Sequence, residues 1–468
     1  MSNYVFGNHV VARADALLNN KTAKKLWHSF SAKGSSITFE NGEKNGFQIG
    51  NVTLPELLEE EEYAIVVKED GIAISAHDYN GLIRGFTSLL RKIEFECLEE
   101  GRESFKIECY TEHKIYKIKR RMIHYCVFPE TDITTIRREI RFAGVLHYTH
   151  LVLEFWGMFP YECLKELSWP HAYAKRLRKE LIDEIRELGM EPVPFLNHLG
   201  HATMSRVLTG KHVVLDQNPR LQDYFMEDGW EWNISSPKTK MLLRQMRAEL
   251  YEVFGEGDYF HVGCDEAYMI SDTEELHDVM ANYLSELTAE IETEGRKPML
   301  WADMFIAQEE IETKDTPIDI TIEGEYYAAC ATAEKANEIL KVLSPHSILV
   351  DWQYNTKKAP LRSFNVLQKK EQHVMEAPWY EKENCRAAVE TLEQCDGYGL
   401  MLTTWHYINE SFTATMETSA MFGGPQFKWS GKTKNWVEAA TVLRKVSYDD
   451  LNYTQTGFCE SQIGYTPL

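Results

Sequence analysis

The sequence has no long apolar segment and no export leader. It contains no run of about eighteen apolar residues, the length that a membrane-spanning helix needs. Its first residues, MSNYVFGNHVVARADALLNNKTAKK, do not combine a basic start with an apolar run of about seven residues. We therefore expect a protein that stays in the cytoplasm and has no membrane partner.

Basic residues are scarce relative to acidic ones. The 468 residues include 50 Lys and Arg against 72 Asp and Glu, which gives a formal net charge of −22. A charge of this sign repels phosphate backbones and anionic headgroups, so no nucleic-acid partner is expected. Neutral small molecules, sugars among them, remain possible ligands. Nothing in the composition predicts an oligomeric state.

Paired cysteine motifs are also missing. The nine cysteines are odd in number, widely scattered and never spaced as C-x-x-C. Disulfide frameworks and thiolate zinc sites normally show such spacings. We therefore expect reduced cysteines that are mostly buried as small apolar side chains.

The spacing of apolar segments predicts a small α+β domain followed by a parallel barrel. Residues 63–76 have the pattern of two strands joined at Asp70 and Gly71, and residues 79–94 that of an amphipathic helix. From about Lys117 onward, apolar strands alternate with helical patterns, as in βα units. The candidate strands are Arg121–Val127, His150–Phe155, Pro192–Leu196, Asp258–Val262, Pro298–Trp301, Ile318–Glu323, Ile348–Trp352 and Leu400–Thr404.

Eight strands within about 300 residues are typical of a (β/α)8 TIM barrel. We predict an N-terminal α+β domain over 1–115, a catalytic barrel over 116–430, and a C-terminal helix and tail over 431–468 that pack on the barrel. A doubly wound sheet is the alternative. It normally places a glycine-rich phosphate loop after the first strand, and HYCVFPET contains no glycine.

Polar and aromatic residues gather at the predicted carboxyl ends of the strands, where barrel active sites lie. Aromatic faces stack on sugar rings, while carboxylates and amides bind hydroxyl groups. These strand ends therefore predict a sugar-binding pocket. Its candidate residues are Glu154, Asn197, His261, Trp301, Trp352 and Trp405.

Two carboxylates, Asp265 and Glu266, stand side by side in YFHVGCDEAYM. Strand alternation directs His261, Gly263 and Asp265 into the barrel, and Glu266 follows where the strand gives way to a loop. Because two close carboxylates do not ionise independently, we expect Glu266 to stay protonated as a general acid beside a charged Asp265. A helix cap or a solvated pair of loop charges is the alternative.

The histidines of NHLGH, His198 and His201, offer another interpretation. Together with Asp265 and Glu266 they could hold a metal ion in a barrel hydrolase. A metal-dependent hydrolase is therefore kept as an alternative, although we expect neither a metal nor an organic cofactor.

The motif HVGCDEAY resembles the His-x-Gly-x-Asp-Glu signature of glycoside hydrolase family 20, the β-N-acetylhexosaminidases. Four further segments are similar to this family in chain order: EYAIVVKEDGIAISAHDYNGLIRGFTSLLRKI to its N-terminal domain, RMIHYC to its first barrel strand, NHLGH to its Pro-Gly-His turn and MLWADM to its Trp-Gly-Asp-Met. LVLEFWGMFPYE together with HVGCDEAY most resembles the intracellular hexosaminidase D branch.

This resemblance implies an exo-acting, retaining β-N-acetylhexosaminidase that removes terminal GlcNAc or GalNAc from a small glycan or glycoside. Family 20 enzymes work by substrate assistance, in which the 2-acetamido oxygen attacks the anomeric carbon and forms an oxazolinium-like intermediate. It implies that Glu266 is the general acid/base and that Asp265 orients the acetamide. The implied substrate contacts are Arg121 (or the adjacent Arg120), Glu154, His201, His261, Trp301, Asp303, Trp352, Tyr354 and Trp405.

Three departures from the family concern hydroxyl-binding positions. The usual aspartate falls at Cys126, the acidic pair of the second-strand loop falls at Trp156-Gly157, and Tyr407 replaces a glutamate, with Glu410 the nearest acid. They leave the choice between GlcNAc and GalNAc open, although the hexosaminidase D likeness favours GalNAc. A glycan-binding protein that has lost turnover is the alternative function.

Overall fold

The computed structural model describes residues 2–31, 35–100, 106–129, 131–170, 172–203, 214–215, 218–227, 229–270, 273–405, 408, 411–425 and 435–447, with the side chains of 94–100 and 435–436 excepted. None of the helices among them is both long and apolar enough to cross a membrane.

The N-terminal part is an α+β unit. Its elements are β1 (Asn3–Val5), β2 (His9–Arg13), α1 (Lys21–Phe30), β3 (Ser36–Glu40), β4 (Gly46–Gly50), β5 (Tyr63–Lys68), β6 (Gly71–Ala76), α2 (Tyr79–Glu100), β7 (Lys106–Glu108) and β8 (Tyr110–Lys114). Six strands form one sheet in the order β3-β2-β4-β6-β5-β8, and β1 pairs with β7. The predicted hairpin at Asp70 and Gly71 is confirmed as the β5–β6 connection.

One apolar face of α2 attaches it to this sheet. Its buried residues recur at helical spacing, which is the pattern of an amphipathic helix packed on a core. They are Leu82, Ile83, Phe86, Leu89, Leu90 and Ile93. The predicted helix over 79–94 is thereby confirmed, and it extends to Glu100.

The remainder of the chain forms the barrel and its helices. The elements are β9 (Arg121–Val127), α3 (Ile133–Val145), β10 (His150–Phe155), α4 (Lys175–Glu187), β11 (Glu191–Phe195), α5 (Pro237–Phe254), β12 (Tyr259–His261), α6 (Glu274–Thr293), β13 (Lys297–Trp301), α7 (Gln308–Ile311), α8 (Ile320–Glu323), α9 (Ala333–Val342), β14 (Ile348–Asp351), α10 (Arg362–Lys369), β15 (His373–Glu376), α11 (Lys382–Cys395), β16 (Gly399–Thr403), α12 (Phe412–Met421) and α13 (Asn435–Val446).

The eight strands β9 to β16 close into a parallel barrel, in which β16 pairs with β9. Alternate side chains fill its interior, as in TIM barrels. That inner layer includes Met122, Val152, Val193, Met299, Val350, Met375 and Met401. The intervening residues pack outward against the helices, so the strands are buried on both faces. The predicted barrel preceded by a small α+β domain is therefore confirmed, and the doubly wound alternative is excluded.

One predicted strand is wrong and one strand was missed. Residues 318–323 are not a strand, because Asp319 caps the short helix α8 by accepting from the Thr321 amide. Ile320 and Ile322 are both 57% exposed there, so their alternation with polar residues does not reflect a buried face. The missing barrel strand is β15, in which a buried apolar pair stands between His373 and Glu376.

Candidate active site

Left-handed backbone conformations deliver both carboxylates to the mouth of the barrel. Beyond β12, Gly263, Cys264 and Glu266 have φ angles of +67°, +77° and +49°. A Cβ atom at Gly263 would lie 1.9 Å from the Asn197 Oδ1, so only glycine fits against that side chain. The strand thus turns sharply at its carboxyl end, and Asp265 and Glu266 both enter the same cleft.

The predicted alternation is confirmed within β12 but does not continue to Gly263 and Asp265, because the strand ends at His261 and the backbone then turns. His261 faces the barrel interior, where its ring contacts Phe195 at 4.4 Å and Trp301 at 4.6 Å. Val262 and Cys264 belong to the layer between the barrel and its helices. Alternation of a strand therefore separates the two sets of side chains before the turn begins.

One histidine bridges the two carboxylates. The His201 Nε2 lies 3.2 Å from the Asp265 Oδ2 and 3.2 Å from the Glu266 Oε2. Burial opposes a charge on His201, but the Asp265 charge and hydrogen bonds to both carboxylates outweigh it and raise the pKa of His201 to about 10. His201 is therefore an imidazolium at neutral pH.

The expectation that Glu266 stays protonated in the free site is wrong. Burial alone would raise its pKa, but the hydrogen bond and charge of His201, together with a hydrogen bond from Tyr268, lower the pKa below its ordinary value. The intervening imidazolium removes the repulsion that two isolated carboxylates would feel. Sequence reasoning missed this because it treated the acids as a pair without their shared cation.

The raised pKa belongs instead to Asp303, at the end of β13. Burial is the largest cause, and the charge of Asp265 adds to it. The Asp303 Oδ2 accepts from the Glu266 amide at 2.9 Å, and its Oδ1 accepts from the Trp352 indole at 3.1 Å. Asp303 therefore fixes the backbone of Glu266 and the ring of Trp352 at the same time.

Aromatic side chains surround the carboxylates. The Trp405 indole donates to the Tyr354 hydroxyl at 2.8 Å, and the Trp352 and Tyr354 rings lie 5.2 Å apart. Trp352, Tyr354 and Trp405 are all partly exposed, so part of each side chain is accessible to a ligand. Trp352 donates to Asp303, which also accepts from the Glu266 amide, so this aromatic group adjoins the turn that carries the two carboxylates.

Trp301 and His261 lie beneath this aromatic layer. Both side chains are completely buried, with no exposed surface through which a ligand could contact them. The Trp301 ring packs against Trp405 at 5.5 Å. Direct sugar contact, the prediction for both residues, is therefore corrected: they support the pocket floor from the barrel interior.

Glu154 is the centre of a buried polar cluster next to His201. Its Oε2 accepts from the His124 Nε2 and the Cys126 thiol, both at 3.1 Å, and its Oε1 accepts from the Asn197 amide at 2.7 Å. Glu154, Asn197 and His201 line one cavity. Glu154 therefore belongs to the same site.

His124, Cys126 and Glu154 have the side-chain types of a metal site, and their ligand atoms lie within 4.8 Å of one another. Three hydrogen-bond donors already satisfy the carboxylate, however, and burial raises the pKa of the Cys126 thiol well above its usual range. The cluster is therefore a hydrogen-bond network in which a thiol, an imidazole and an amide donate to the Glu154 carboxylate, while the His124 Nδ1 and the Asn197 Oδ1 have no hydrogen-bond partner among the described residues.

The proposed pairing of His198 with His201 does not occur. The His198 Nδ1 contacts the Leu196 carbonyl at 2.6 Å, and its Nε2 faces the Arg247 guanidinium at 3.2 Å. Burial and that neighbouring charge lower the pKa of His198 to about 3. His198 thus belongs to the helix-facing layer, which contradicts a metal site built from both histidines with Asp265 and Glu266.

The alternative of a helix cap is also wrong. The helix that follows the carboxylates is α6, and the Thr273 side chain caps it by accepting from the Leu276 amide at 3.2 Å. Asp265 and Glu266 precede that cap by several residues and face the cleft.

Arg121 does not belong to this site. It is the first residue of β9, at the amino end of the barrel, where its guanidinium donates to both Glu62 oxygens at 3.3 Å and lies 3.8 Å from the Tyr116 ring centroid. Seven strand residues span about 20 Å, so its side chain is a barrel length from the cleft. Arg120, the alternative, donates to Tyr259 at the same amino end.

Three residues that sequence reasoning missed contact the site. The Trp230 indole donates to the Glu266 carbonyl at 2.9 Å. Tyr268 is one of the groups that lower the pKa of Glu266, and its hydroxyl lies 2.7 Å from that of Tyr327. Tyr268 was within reach of sequence reasoning, because it stands two residues after Glu266. Trp230 comes from a long connection without a recognisable motif.

The sequence analysis found that the protein differs from the family after β16, at Tyr407 and Glu410. Both residues lie outside the described part of the chain.

Comparisons with known proteins agree with this architecture. The sequence matches "Glycosyl hydrolase family 20, domain 2" over residues 2–96 and "Glycosyl hydrolase family 20, catalytic domain" over residues 163–418. No curated protein sequence matches the chain significantly.

Several solved structures share the fold. A chitobiase from Flavobacterium johnsoniae is 15% identical with a TM-score of 0.61, over 99% of this chain and 71% of that one. The β-N-acetylhexosaminidase of Bacteroides fragilis is 16% identical with a TM-score of 0.61, over 99% and 94% of the two chains. An exo β-N-acetylglucosaminidase from Vibrio harveyi, in complex with N-acetylglucosamine, is 12% identical with a TM-score of 0.64, over 99% and 75%.

At such low identity the solved structures show only that the fold is shared. The match to a family sequence model, in contrast, shows membership of the family. The catalytic-domain match alone spans more than half of the chain and includes the turn that carries Asp265 and Glu266. The protein therefore belongs to glycosyl hydrolase family 20 and is a glycoside hydrolase.

Proposed function

We propose that the protein is an exo-acting, retaining β-N-acetylhexosaminidase that releases terminal GlcNAc or GalNAc from a small glycan or glycoside. The observation that carries this proposal is the contact of one imidazolium, His201, with both Asp265 and Glu266 at the carboxyl end of the barrel. The partly exposed aromatic side chains of Trp352, Tyr354 and Trp405 suit contact with a pyranose ring.

In the proposed first step, the 2-acetamido oxygen of the sugar attacks the anomeric carbon while Glu266 protonates the leaving oxygen. Asp265 accepts the acetamide N–H, which orients the nucleophile and stabilises the positive charge that develops on it. The buried Oδ1 of Asp265 supports this role, because it has no hydrogen-bond partner in the described part of the chain. Tyr354 donates to the acetamide oxygen.

In the proposed second step, the Glu266 carboxylate accepts a proton from the water that opens the oxazolinium ring. The proximity of His201 favours this charged form of Glu266. Because the same interaction lowers the pKa of Glu266, the protonated acid required for the first step is most abundant at acidic pH. We therefore propose an acidic optimum for the glycosylation step.

The sugar hydroxyls are proposed to lie next to the Glu154 cluster. The Glu154 carboxylate already accepts hydrogen bonds from His124, Cys126 and Asn197. A carboxylate with three donors has little capacity left for ring hydroxyls, so these contacts differ from those of acid-rich family members. Assignment to the hexosaminidase D branch and a preference for GalNAc are also proposed, on the likeness of LVLEFWGMFPYE and HVGCDEAY to that branch.

The test is release of p-nitrophenol from β-GlcNAc and β-GalNAc glycosides, with and without EDTA. We expect turnover that EDTA does not change. Sugar-dependent thermal stabilisation without turnover would instead indicate a glycan-binding protein, and loss of activity with EDTA would indicate a metal site.

Glu266→Gln is expected to lower kcat by at least about a hundredfold, because it removes the general acid while keeping the size of the side chain. Glu275→Gln, an exposed change in the first turn of α6, is the matched control and should leave kcat unchanged. A near-wild-type rate for Glu266→Gln would contradict the assignment of the acid.

A further inference from the structure

A short segment of the long connection after β11 lies directly against the turn that carries the two carboxylates. This segment, residues 230–232, is buried, and Glu231 within it has no exposed surface. The Glu231 Oε1 accepts from the Met269 amide at 2.7 Å, and its Oε2 accepts from the Ile270 amide at 2.9 Å. Because these amides follow Glu266 by three and four residues, the Glu231 carboxylate fixes the backbone just beyond the candidate acid.

The residue before Glu231 holds the carbonyl side of the same turn. The Trp230 indole donates to the Glu266 carbonyl at 2.9 Å, and that carbonyl also accepts from the Tyr268 amide at 3.1 Å. The Trp230 ring packs against the His201 ring, with the two centroids 4.2 Å apart. Trp230 therefore contacts both the backbone of the candidate acid and the imidazolium that bridges the two carboxylates.

Backbone hydrogen bonds attach the 230–232 segment to the loop after β11, which carries the bridging histidine. The Trp230 carbonyl accepts from the Ala202 amide at 2.9 Å. The Trp232 amide donates to the Leu199 carbonyl at 3.0 Å. The segment therefore joins the loop of the imidazolium to the turn of the two carboxylates.

The attachment at Glu231 requires a carboxylate. A buried carboxylate is costly unless donors satisfy it, and here the donors include two consecutive backbone amides. An amide side chain has one acceptor oxygen, so a glutamine at this position would direct its own NH2 group at one of the two N–H groups. Glu231→Gln thus disturbs the attachment of the turn while keeping the size of the side chain.

We propose that Glu231 and Trp230 are positioning residues for Glu266, which set where its carboxyl group lies relative to the glycosidic oxygen and to His201. They act on the backbone of the turn and not on the substrate. Asp303 accepts from the Glu266 amide and so holds the other side of that residue. The catalytic consequence rests on the proposed function, whereas the placement of the carboxyl group beside His201 does not depend on it.

The kinetic test compares two leaving groups on the same hexosaminide. A methyl β-glycoside needs the proton of Glu266 for departure of the alcohol, whereas p-nitrophenolate leaves readily without full protonation. A displaced carboxyl group should therefore slow the methyl glycoside far more than the p-nitrophenyl glycoside. In Glu231→Gln we expect the ratio of the two kcat/KM values, p-nitrophenyl over methyl, to rise by about tenfold. Loss of folded protein alone would lower both values equally.

The titration of Glu266 reports its placement without substrate. It is measured in protein labelled with 13C at the glutamate carboxyl, with the Glu266 resonance assigned by its absence from Glu266→Gln. Burial raises the pKa of Glu266, but the hydrogen bond and charge of His201 lower it, so separation of the two side chains in Glu231→Gln should raise the pKa by about one unit. Four other titratable groups near Glu266 are kept in this variant. They are Asp265, Asp303, Tyr268 and Tyr327.

Glu249→Gln is the matched control. Glu249, on α5, also accepts from two consecutive backbone amides, those of Glu162 and Cys163, each at 2.8 Å. It loses the same kind of attachment without touching the turn of the carboxylates. Neither the leaving-group ratio nor the pKa of Glu266 should change. Changes as large as those in Glu231→Gln would overturn the proposal, because they would show a general response to a weakened fold.

Trp230→Phe is the second variant, because it removes the indole donor and keeps an aromatic ring beside His201. Both readouts should move in the same direction as in Glu231→Gln but by less, and this variant decides the proposal if circular dichroism shows that Glu231→Gln does not fold. A folded variant with an unchanged leaving-group ratio and an unchanged Glu266 pKa would overturn the proposal. If the wild-type protein hydrolyses neither hexosaminide, the proposed function fails while the 13C titration still decides the placement of Glu266.

Discussion

At the scale of single residues, Asp265 and Glu266 differ in their surroundings although they are neighbours in the chain. Asp265 is 4% exposed with one oxygen left free of partners among the described residues, whereas the Glu266 carboxyl group contacts His201 and its side chain is 27% exposed. The free oxygen suits a substrate N–H, and the more accessible carboxyl group suits repeated proton transfer.

Asp265→Asn tests this division of roles. The neutral Asn side chain cannot stabilise the positive charge that develops on the acetamide as the Asp265 carboxylate does. Hydrolysis of acetamido sugars should therefore slow by about a hundredfold. Inhibition by a thiazoline mimic of the intermediate, measured as a Ki, should weaken as well. Unchanged inhibition would mean that Asp265 is only a loop charge.

Sequence reasoning found most of the residues in this site because strand ends are readable from apolar patterns. It failed for Arg121 because a resemblance in sequence identifies the strand but does not show which end of that strand lies at the cleft. It failed for the protonation of Glu266 because the deciding neighbour, His201, is more than sixty positions away in the sequence.

At the scale of elements, the turn after β12 is the part on which the carboxylates depend. Three residues in the turn have positive φ angles, and only one of them is glycine. Non-glycine residues in this region cost about 1–3 kcal/mol each and persist where packing over-determines them. Cys264 and Glu266 therefore hold strained conformations at the site of proposed catalysis.

Gly263→Ala should destabilise the protein by about 1–3 kcal/mol, because it combines a positive φ with a Cβ that overlaps Asn197. It should also lower kcat, since the altered turn displaces both carboxylates. Urea unfolding and steady-state kinetics measure the two effects.

Gly295→Ala is the matched control. Gly295 has a φ of +84°, and no atom beyond its chain neighbours lies within 4 Å of the place that a Cβ would take, so it carries the backbone cost without the overlap. Its stability should fall less and its kcat should not change. Equal effects of the two substitutions would show that the Asn197 contact is unimportant.

The two errors in element prediction have different physical origins. Alternation identified Ile318–Glu323 as a strand, although Asp319 competes locally by capping a helix. β15 is four residues long, and its carboxyl-terminal residue is a buried glutamate, so its apolar signal is short. Local capping therefore decides the first case, and burial by the surrounding barrel decides the second.

At the scale of the whole molecule, the α+β unit packs on the amino ends of the barrel strands. Arg84 of α2 donates to the Gly189 carbonyl just before β11, and Arg91 donates to the Val145 carbonyl before β10. Glu62 neutralises both Arg84 and Arg121, whose side chains are 5% and 1% exposed. The cleft lies at the other end of the strands.

Glu62→Gln should destabilise the protein by about 3 kcal/mol at neutral pH, because it leaves two buried guanidinium groups without their anion. Burial would raise the pKa of Glu62, but Arg121 and Arg84 lower it below its ordinary value of 4.5. Its stabilising contribution is therefore complete above about pH 4.5 and is lost as the pH falls through the lowered pKa.

Thermal and urea unfolding at several pH values measure this effect. The difference between wild type and Glu62→Gln should shrink on acidification, and Glu69→Gln, an exposed change in the same hairpin, should have no effect. A difference that stays constant down to the lowest pH would contradict the ionic role of Glu62.

The contacts that stabilise the fold and those of the candidate site lie at different ends of the barrel axis. The Glu62–Arg121 attachment and the Asp265–Glu266 turn occupy opposite ends of the same eight strands, with the packed methionine-rich interior between them. Selection or engineering can therefore adjust thermal tolerance at one end without altering turnover at the other. This separation allows the turn that carries Asp265 and Glu266 to keep its strained backbone while contacts at the opposite end stabilise the fold.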